Sequence, residues 1–235
     1  MRVGITLPTF EPTSSVALAT ARAAERAGID GVFVFDHFWR GATRSRPALS
    51  MYPVLGGVMA ITRSLRVGSL VARLGYLPDR AVADSFLSLH QLARGRLVAA
   101  LGIGDSISAA ENAAYGIAWP SLEERRTSLV GLVGELTAAG IECWVGATAP
   151  ATIEIARAGG ATVNLWDVDL ERFQAEAARG PTSWAGPFPK EAGPAADQLI
   201  ALRDAGATWA IWGWPRSVDL VTDALRLAGL QSRKG

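Results

Sequence analysis

The sequence predicts an α/β chain folded as a single (β/α)8 barrel over residues 1–235. Three observations predict it. Eight short apolar runs have β character, each is followed by a segment with helical spacing, and five of those segments end on glycine. The runs are apolar at nearly every position rather than at alternate ones, as parallel strands covered on both faces require. Eight β-then-α units close naturally into a barrel.

In order, the first strand is read from Val3 to Leu7 and its helix from Val16 to Ala27. The second unit pairs Gly31 to Phe35 with Leu49 to Thr62. The third pairs Arg66 to Val71 with Ala81 to Ala93, and the fourth Arg96 to Leu101 with Leu122 to Ala138. Ile141 to Val145 then leads to Thr152 to Ala158, and Ala161 to Leu165 to Asp167 to Ala178. Thr182 to Ala185 precedes Ala195 to Ala205, and Thr208 to Trp212 precedes Val218 to Leu227. The helix stops are Gly28, Gly95, Gly140, the Gly159-Gly160 pair and Gly206. Ser14 or Ser15, Ser121 and Ser217 stand at helix starts, and Glu124, three residues after Ser121, makes a capping box. The irregular stretches Trp39 to Arg46, Asp105 to Pro120 and Gly180 to Gly193 read as loops over one face.

Composition narrows the function classes. Lys plus Arg number 23 against 22 Asp plus Glu, so no electrostatic footprint for nucleic acid or an anionic membrane is visible. A small-molecule partner is expected instead. Every apolar run is broken well before the roughly 18 residues that a membrane-spanning helix needs. With no basic and apolar stretch ahead of the first strand, a secretory leader is not expected. The one cysteine, Cys143, falls in a strand as a small hydrophobe, which suits a cytoplasmic protein. His90 has no partner at metal-ligand spacing, and no metal site is expected. Gly102-Ile103-Gly104 followed by Asp105-Ser106-Ile107 fails the full GxGxxG pattern, which disfavours a dinucleotide-binding fold.

Several segments, taken together, resemble one family. Phe35-Asp36-His37-Phe38 is similar to the "DHF" turn of luciferase-like flavin and deazaflavin oxidoreductases. Leu65 to Val71 resembles that family's third strand and Tyr76-Leu77-Pro78 the turn after it. Arg94-Gly95-Arg96-Leu97 resembles its "GGRL" approach to strand four. Leu101 to Asp105, then Trp119-Pro120 and Glu123-Glu124-Arg125-Arg126, resemble the branch that uses deazaflavin. Val145-Gly146-Ala147-Thr148 with Thr152 to Gly159 resembles a phosphate-binding turn and helix. The resemblance covers most of residues 1 to 166 and is weak beyond 170. One departure is that Leu136 reaches Ile141 through one short turn, where the family commonly carries a long insertion.

The resemblance implies an oxidoreductase that uses coenzyme F420 for hydride transfer to or from a small organic substrate. The alternatives are an FMN-dependent luciferase-like monooxygenase and, because the insertion is missing, a non-catalytic flavin- or deazaflavin-binding protein. His37 is implied to donate or accept a proton, with a structural hydrogen bond as its other reading, and Asp105 to assist as an acid. Asp36 either orients His37 or bonds the cofactor. Ser69, Leu70 and Val71 back the ring, and related proteins often show a non-prolyl cis peptide at the position of Leu70-Val71. Gly102 and Gly104 allow close approach of a ligand. Gly146, Ala147 and Thr148 would hold a phosphate, or simply turn the chain.

Eight tryptophans are many for this length. Trp39 and Trp119 are the candidates for the substrate side, while Trp166, Trp184, Trp212 and Trp214 line a pocket or cap the core. Family members often form homodimers, and Val54 to Ile61 is the apolar stretch that would contribute the patch.

Overall fold

The computed structural model describes residues 1–39 and 48–230; the expected loop from Trp39 to Arg46 therefore lies, from residue 40 onward, outside the described residues. The chain alternates β1 (Arg2–Thr6), α1 (Ser15–Arg26), β2 (Gly31–Val34), α2 (Met51–Ile61), β3 (Arg66–Ser69), β4 (Ala72–Arg73) and α3 (Asp79–Ala93). It continues with β5 (Leu97–Gly102), α4 (Ser106–Ala114), α5 (Leu122–Ala138), β6 (Glu142–Gly146), α6 (Pro150–Ala158), β7 (Thr162–Trp166) and α7 (Leu170–Ala177). β8 (Thr182–Gly186), α8 (Ala192–Asp204), β9 (Trp209–Trp212) and α9 (Val218–Leu227) complete it.

All strand pairs are parallel and the sheet closes. β1 pairs with β2 on one side and with β9 on the other, aligning Val3 with Ala210. β3 and β4 are two halves of one stave: both pair with β5, Val67 opposite Leu97 and Ala72 opposite Leu101. The break between them holds the cis Leu70-Val71 peptide. Counted by staves, this is the expected eight-stranded barrel.

Two apolar layers hold the barrel. Its interior is plugged by Phe33, Trp144 and Trp209, whose ring centroids lie 5.3 to 5.6 Å apart. Those rings dictate small neighbours: a Cβ on Gly4 would stand 2.8 Å from Phe33. Outside, buried helix residues such as Ala21, Leu55, Phe86, Leu132, Phe173 and Leu199 cover the strands. Cys143 belongs to this layer, and burial pushes its thiol above the usual range.

The punctuation holds at most sites. Gly28, Gly95, Gly140, Gly160 and Gly206 all adopt positive φ, the left-handed conformation that ends a helix cheaply only at glycine. Ser121 and Glu124 form the expected capping box, and Ser217 accepts from the N–H of Asp219. Ser14 occupies the N-cap of α1 but makes no capping bond through its side chain.

Two expectations fail. The stretch from Asp105 to Pro120 is not all loop, because it contains α4. The apolar residues Val54, Leu55, Val58 and Met59 do not form an exposed patch, because α2 is wedged between α1 and α3 and buries them within the chain. What α2 leaves outward is mainly Pro53 and Ala60. Among the described residues no helix is long and apolar enough to cross a membrane.

Candidate active site

Barrel geometry delivers the C-terminal strand ends to one rim, and there a cavity of about 490 Å³ opens. His37, Asp105 and the turn at Gly146 all line it, although three different units of the barrel supply them. Asp36, Leu70, Val71, Gly102, Gly104, Ala147 and Thr148 also line it. The volume lies within the range of small-molecule and cofactor sites, roughly 300 to 1,000 Å³.

His37 follows β2 and is 32% exposed, so its ring reaches the cavity. Its Nδ1 faces both carboxylate oxygens of Glu111 at 3.3 Å. Glu111 lies on α4 and is completely buried. One of its oxygens accepts from Arg73 Nη1 at 2.6 Å, the other from the backbone N–H of Phe38 at 3.2 Å. A buried carboxylate is tolerated when an opposite charge and hydrogen bonds replace its water, and Glu111 has both. Arg73 is itself buried; its Nε and Nη2 carry no hydrogen bond, and its guanidinium lies 4.8 Å from the Phe38 ring centroid and 4.9 Å from that of Tyr76. The π faces of those rings supply the electrostatic partner that oxygen does not.

Asp36 anchors the other side of this network. Its carboxylate accepts from the backbone N–H of Arg73 at 2.9 Å and from the Tyr76 hydroxyl at 3.2 Å. Burial pushes its carboxyl above the usual range, against the opposing pull of the Arg73 N–H and charge. Asp36 thus ties the turn after β2 to β4, and it is Glu111, not Asp36, that bonds the imidazole of His37.

Asp105 caps α4: its Oδ1 accepts from Ser108 N at 2.9 Å and from Ser108 Oγ at 3.1 Å. The carboxylate expected to act as an acid therefore starts the helix that carries Glu111. Arg125 on α5 donates to the carbonyl of Ile103 and stacks over Trp119 at 4.1 Å, fixing the loop between β5 and α4 from behind. Trp119 is part of that brace and does not line the cavity; a Cβ on Gly104 would stand 2.6 Å from its ring. Trp39 is buried beside Phe38 and Tyr115 and likewise does not line the cavity.

The glycines at the rim have a different cause from the one expected. A Cβ on Gly102 would stand 2.4 Å from Val71 Cγ2, and one on Gly146 2.8 Å from Val71 Cγ1. The Val71 side chain, placed by the break between β3 and β4, occupies the space between the ends of β5 and β6. Those glycines make room for a side chain of the protein itself. Ser69 is sealed inside the wall, where its hydroxyl bonds both the carbonyl and the N–H of Ala100.

At the turn after β6, the Ala147 N–H is occupied by the carbonyl of Asn164. Thr152, in the first turn of α6, is 1% exposed, lines the cavity, and its Oγ1 has no hydrogen-bond partner. A buried hydroxyl left unpaired beside a helix N-terminus is a ready place for an anionic oxygen. Sequence reading missed Thr152, Arg73 and Glu111, and Phe35, Ser108, Ala149 and Asn164 are further lining residues it did not single out.

Among the described residues no cluster of three His, Cys, Asp or Glu is arranged to hold a metal.

Comparison with known proteins places this architecture. An F420-dependent glucose-6-phosphate dehydrogenase from Nakamurella multipartita is 35% identical over 134 residues, which are 54% of this chain and 37% of that protein. One from Beutenbergia cavernae is 38% identical over 112 residues, 46% and 32% of the two chains. The matched stretch thus spans about a third of the length of these relatives. Two solved structures share the fold at 14% identity. An F420-dependent secondary alcohol dehydrogenase in complex with an F420-acetone adduct gives a TM-score of 0.78 over 96% of this chain and 97% of that one. The coenzyme F420 dependent tetrahydromethanopterin reductase from Methanopyrus kandleri gives 0.71 over 98% and 97%. Residues 1–137, which carry His37, the broken stave and Glu111, match the family model described as luciferase-like monooxygenase, and the chain belongs to that family.

Proposed function

We propose that this protein is an oxidoreductase that uses coenzyme F420 for hydride transfer to or from a small organic substrate. One observation carries the reading: a partly exposed imidazole, backed by a buried carboxylate, opens into a cavity that also offers an unpartnered Thr152 hydroxyl at a helix start. The relatives' names and the fold this chain shares with its structural neighbours agree with it.

Thr152 and the first turn of α6 would hold the phosphate, and Leu70-Val71 would back the ring. Bound there, coenzyme F420 supplies a carbon that accepts or releases hydride. The remaining work belongs to the chain. Glu111 facing Nδ1 keeps a proton on that nitrogen and leaves Nε2 as the exchangeable side of the ring. His37 can then take the proton that leaves a substrate hydroxyl as its carbon is oxidised, or return it in the reverse direction. Asp36, Arg73 and Glu111 hold the imidazole at one orientation through this exchange. The lone buried thiol suits a cytoplasmic setting. A homodimer, which the family resemblance implies, is part of the proposal and is read directly by sedimentation.

The test is binding followed by turnover. Purified protein is titrated with coenzyme F420 and with FMN while cofactor fluorescence is recorded. Binding of F420 is expected; tight FMN binding with none for F420 turns the assignment to the FMN monooxygenase. His37→Ala should keep cofactor affinity and lose at least about 100-fold in turnover. F420 binding with no turnover to lose would instead describe a cofactor-binding protein.

A further inference from the structure

Val163 and Leu165 belong to the apolar layer outside the barrel, so strand alternation turns the side chain between them, Asn164, to the inside. The interior there is apolar, plugged by Phe33, Trp144 and Trp209. Asn164 is 3% exposed, and what remains open lines the cavity. An amide in such a setting needs partners for both of its ends.

One end is answered. Nδ2 donates to Ser183 Oγ at 3.0 Å, directly across the strand pair, and that hydroxyl has the carbonyl of Val163 at 3.5 Å for its own proton. This relay sets the sense of the amide: the serine proton points away, so the nitrogen faces Ser183 and Oδ1 is turned from it. Across the other strand pair stands Gly146, which has no side chain to offer. Oδ1 has no hydrogen-bond partner among the described residues, and it is not sealed off as the orphaned Oδ1 of Asn112 is.

The neighbourhood says what should meet this oxygen. A Cβ on Gly146 would stand 2.8 Å from Val71 Cγ1, so the Val71 side chain lies over the strand beside Asn164. Val71 also packs on the interior plug. A flat ring backed by Val71 would turn one edge toward Asn164, at a depth where the wall is apolar. A bare acceptor there selects a donor, because an edge carrying only C–H groups or a carbonyl leaves it unpaired. We infer that Asn164 is a specificity-determining residue whose Oδ1 accepts from the ring-edge N–H of a planar heterocyclic imide held against Val71. The inference rests on this cavity being the cofactor site; flavin and deazaflavin rings carry one such imide N–H.

A cycle that varies both partners tests it. 5-Deazariboflavin and its N3-methyl derivative, which lacks the imide proton, are titrated by fluorescence against the wild-type chain, Asn164→Leu and Ser183→Ala. In the wild type, methylation should cost roughly tenfold or more in affinity. In Asn164→Leu the two probes should bind within about twofold of each other. Ser183 does not line the cavity, yet Ser183→Ala should shrink the preference to about threefold, because nothing then holds Nδ2 away from the ligand. That variant keeps Asn164 in place and carries the test if the leucine does not fold. Equal binding of both probes to the wild type overturns the inference. So does a preference that persists in Asn164→Leu, because the methyl group is then refused by the wall and not by the amide. Failure of the cofactor reading looks different: the wild type binds neither coenzyme F420 nor 5-deazariboflavin, and the inference falls with it.

Discussion

The carboxylate of Glu111 stands 3.3 Å from Nδ1 of His37, although 74 residues separate them in sequence. The same carboxylate accepts from Arg73 at 2.6 Å, so one buried anion serves both the imidazole and the guanidinium. Removing the charge with Glu111→Gln leaves the buried Arg73 guanidinium without its ion-pair partner. The expected destabilisation is about 3 to 5 kcal/mol by urea denaturation. Arg73→Met should be costly for the converse reason, and the double variant should lose less than the sum of the two singles. Strict additivity in that cycle would mean the pair is not coupled.

Val71 explains two glycines at once. Gly102→Ala places a methyl group 2.4 Å from Val71 Cγ2, and the strands on either side leave little room to yield. A loss of about 1 to 3 kcal/mol in stability is expected. Adding Val71→Ala should recover most of it, since the obstructing atoms are gone. If Gly102→Ala is as costly in the Val71→Ala background, the contact is not the reason for the glycine.

The fold was legible because a parallel barrel buries each strand on both faces, and such strands read as uninterrupted apolar runs: all eight staves appear where those runs stand. His37 was legible because its turn carries a recognisable sequence. Glu111 was not, for a physical reason. The segment Ser106–Ala114 reads SISAAENAA, too short and too poor in large apolar residues to show a helical stripe, so its glutamate sat in an apparent loop. The available signal was Asp105 at the N-cap, with Ser108 three residues on. Arg73 was hidden by the broken stave, which resumes at Ala72 after the reading had ended the strand at Val71. Thr152 lay in a segment already noted, but nothing in sequence reveals that a hydroxyl lacks a partner.

Thr152→Val tests the anion subsite with little change of shape. Because Oγ1 is buried and unpaired, its removal should leave stability unchanged or raise it by up to about 1 kcal/mol in thermal denaturation. Cofactor affinity should fall roughly tenfold, since that hydroxyl is a buried, unpaired donor in the first turn of α6 facing the cavity. A loss of stability with affinity preserved would make Thr152 a packing residue only.

Glu25 offers a test of the scaffold that is independent of the site. Its Oε1 gathers the N–H groups of Arg63 and Ser64 at 2.6 and 2.7 Å and the Ser64 hydroxyl at 3.0 Å, pinning the turn between α2 and β3 to α1. Burial alone would raise its carboxyl, but the N–H groups of Ser64 and Arg63 outweigh it and hold the group below the usual carboxylate range. A carboxyl depressed in the folded state favours folding above its unfolded-state value and loses that contribution as pH falls through the folded one. Wild-type stability should therefore exceed that of Glu25→Gln by about 1 kcal/mol near neutrality, a figure reduced for the group's partial exposure. The two denaturation curves should converge as the medium is acidified past the carboxylate range. A difference that persists at low pH would assign the effect to the shape of the side chain instead of to its charge.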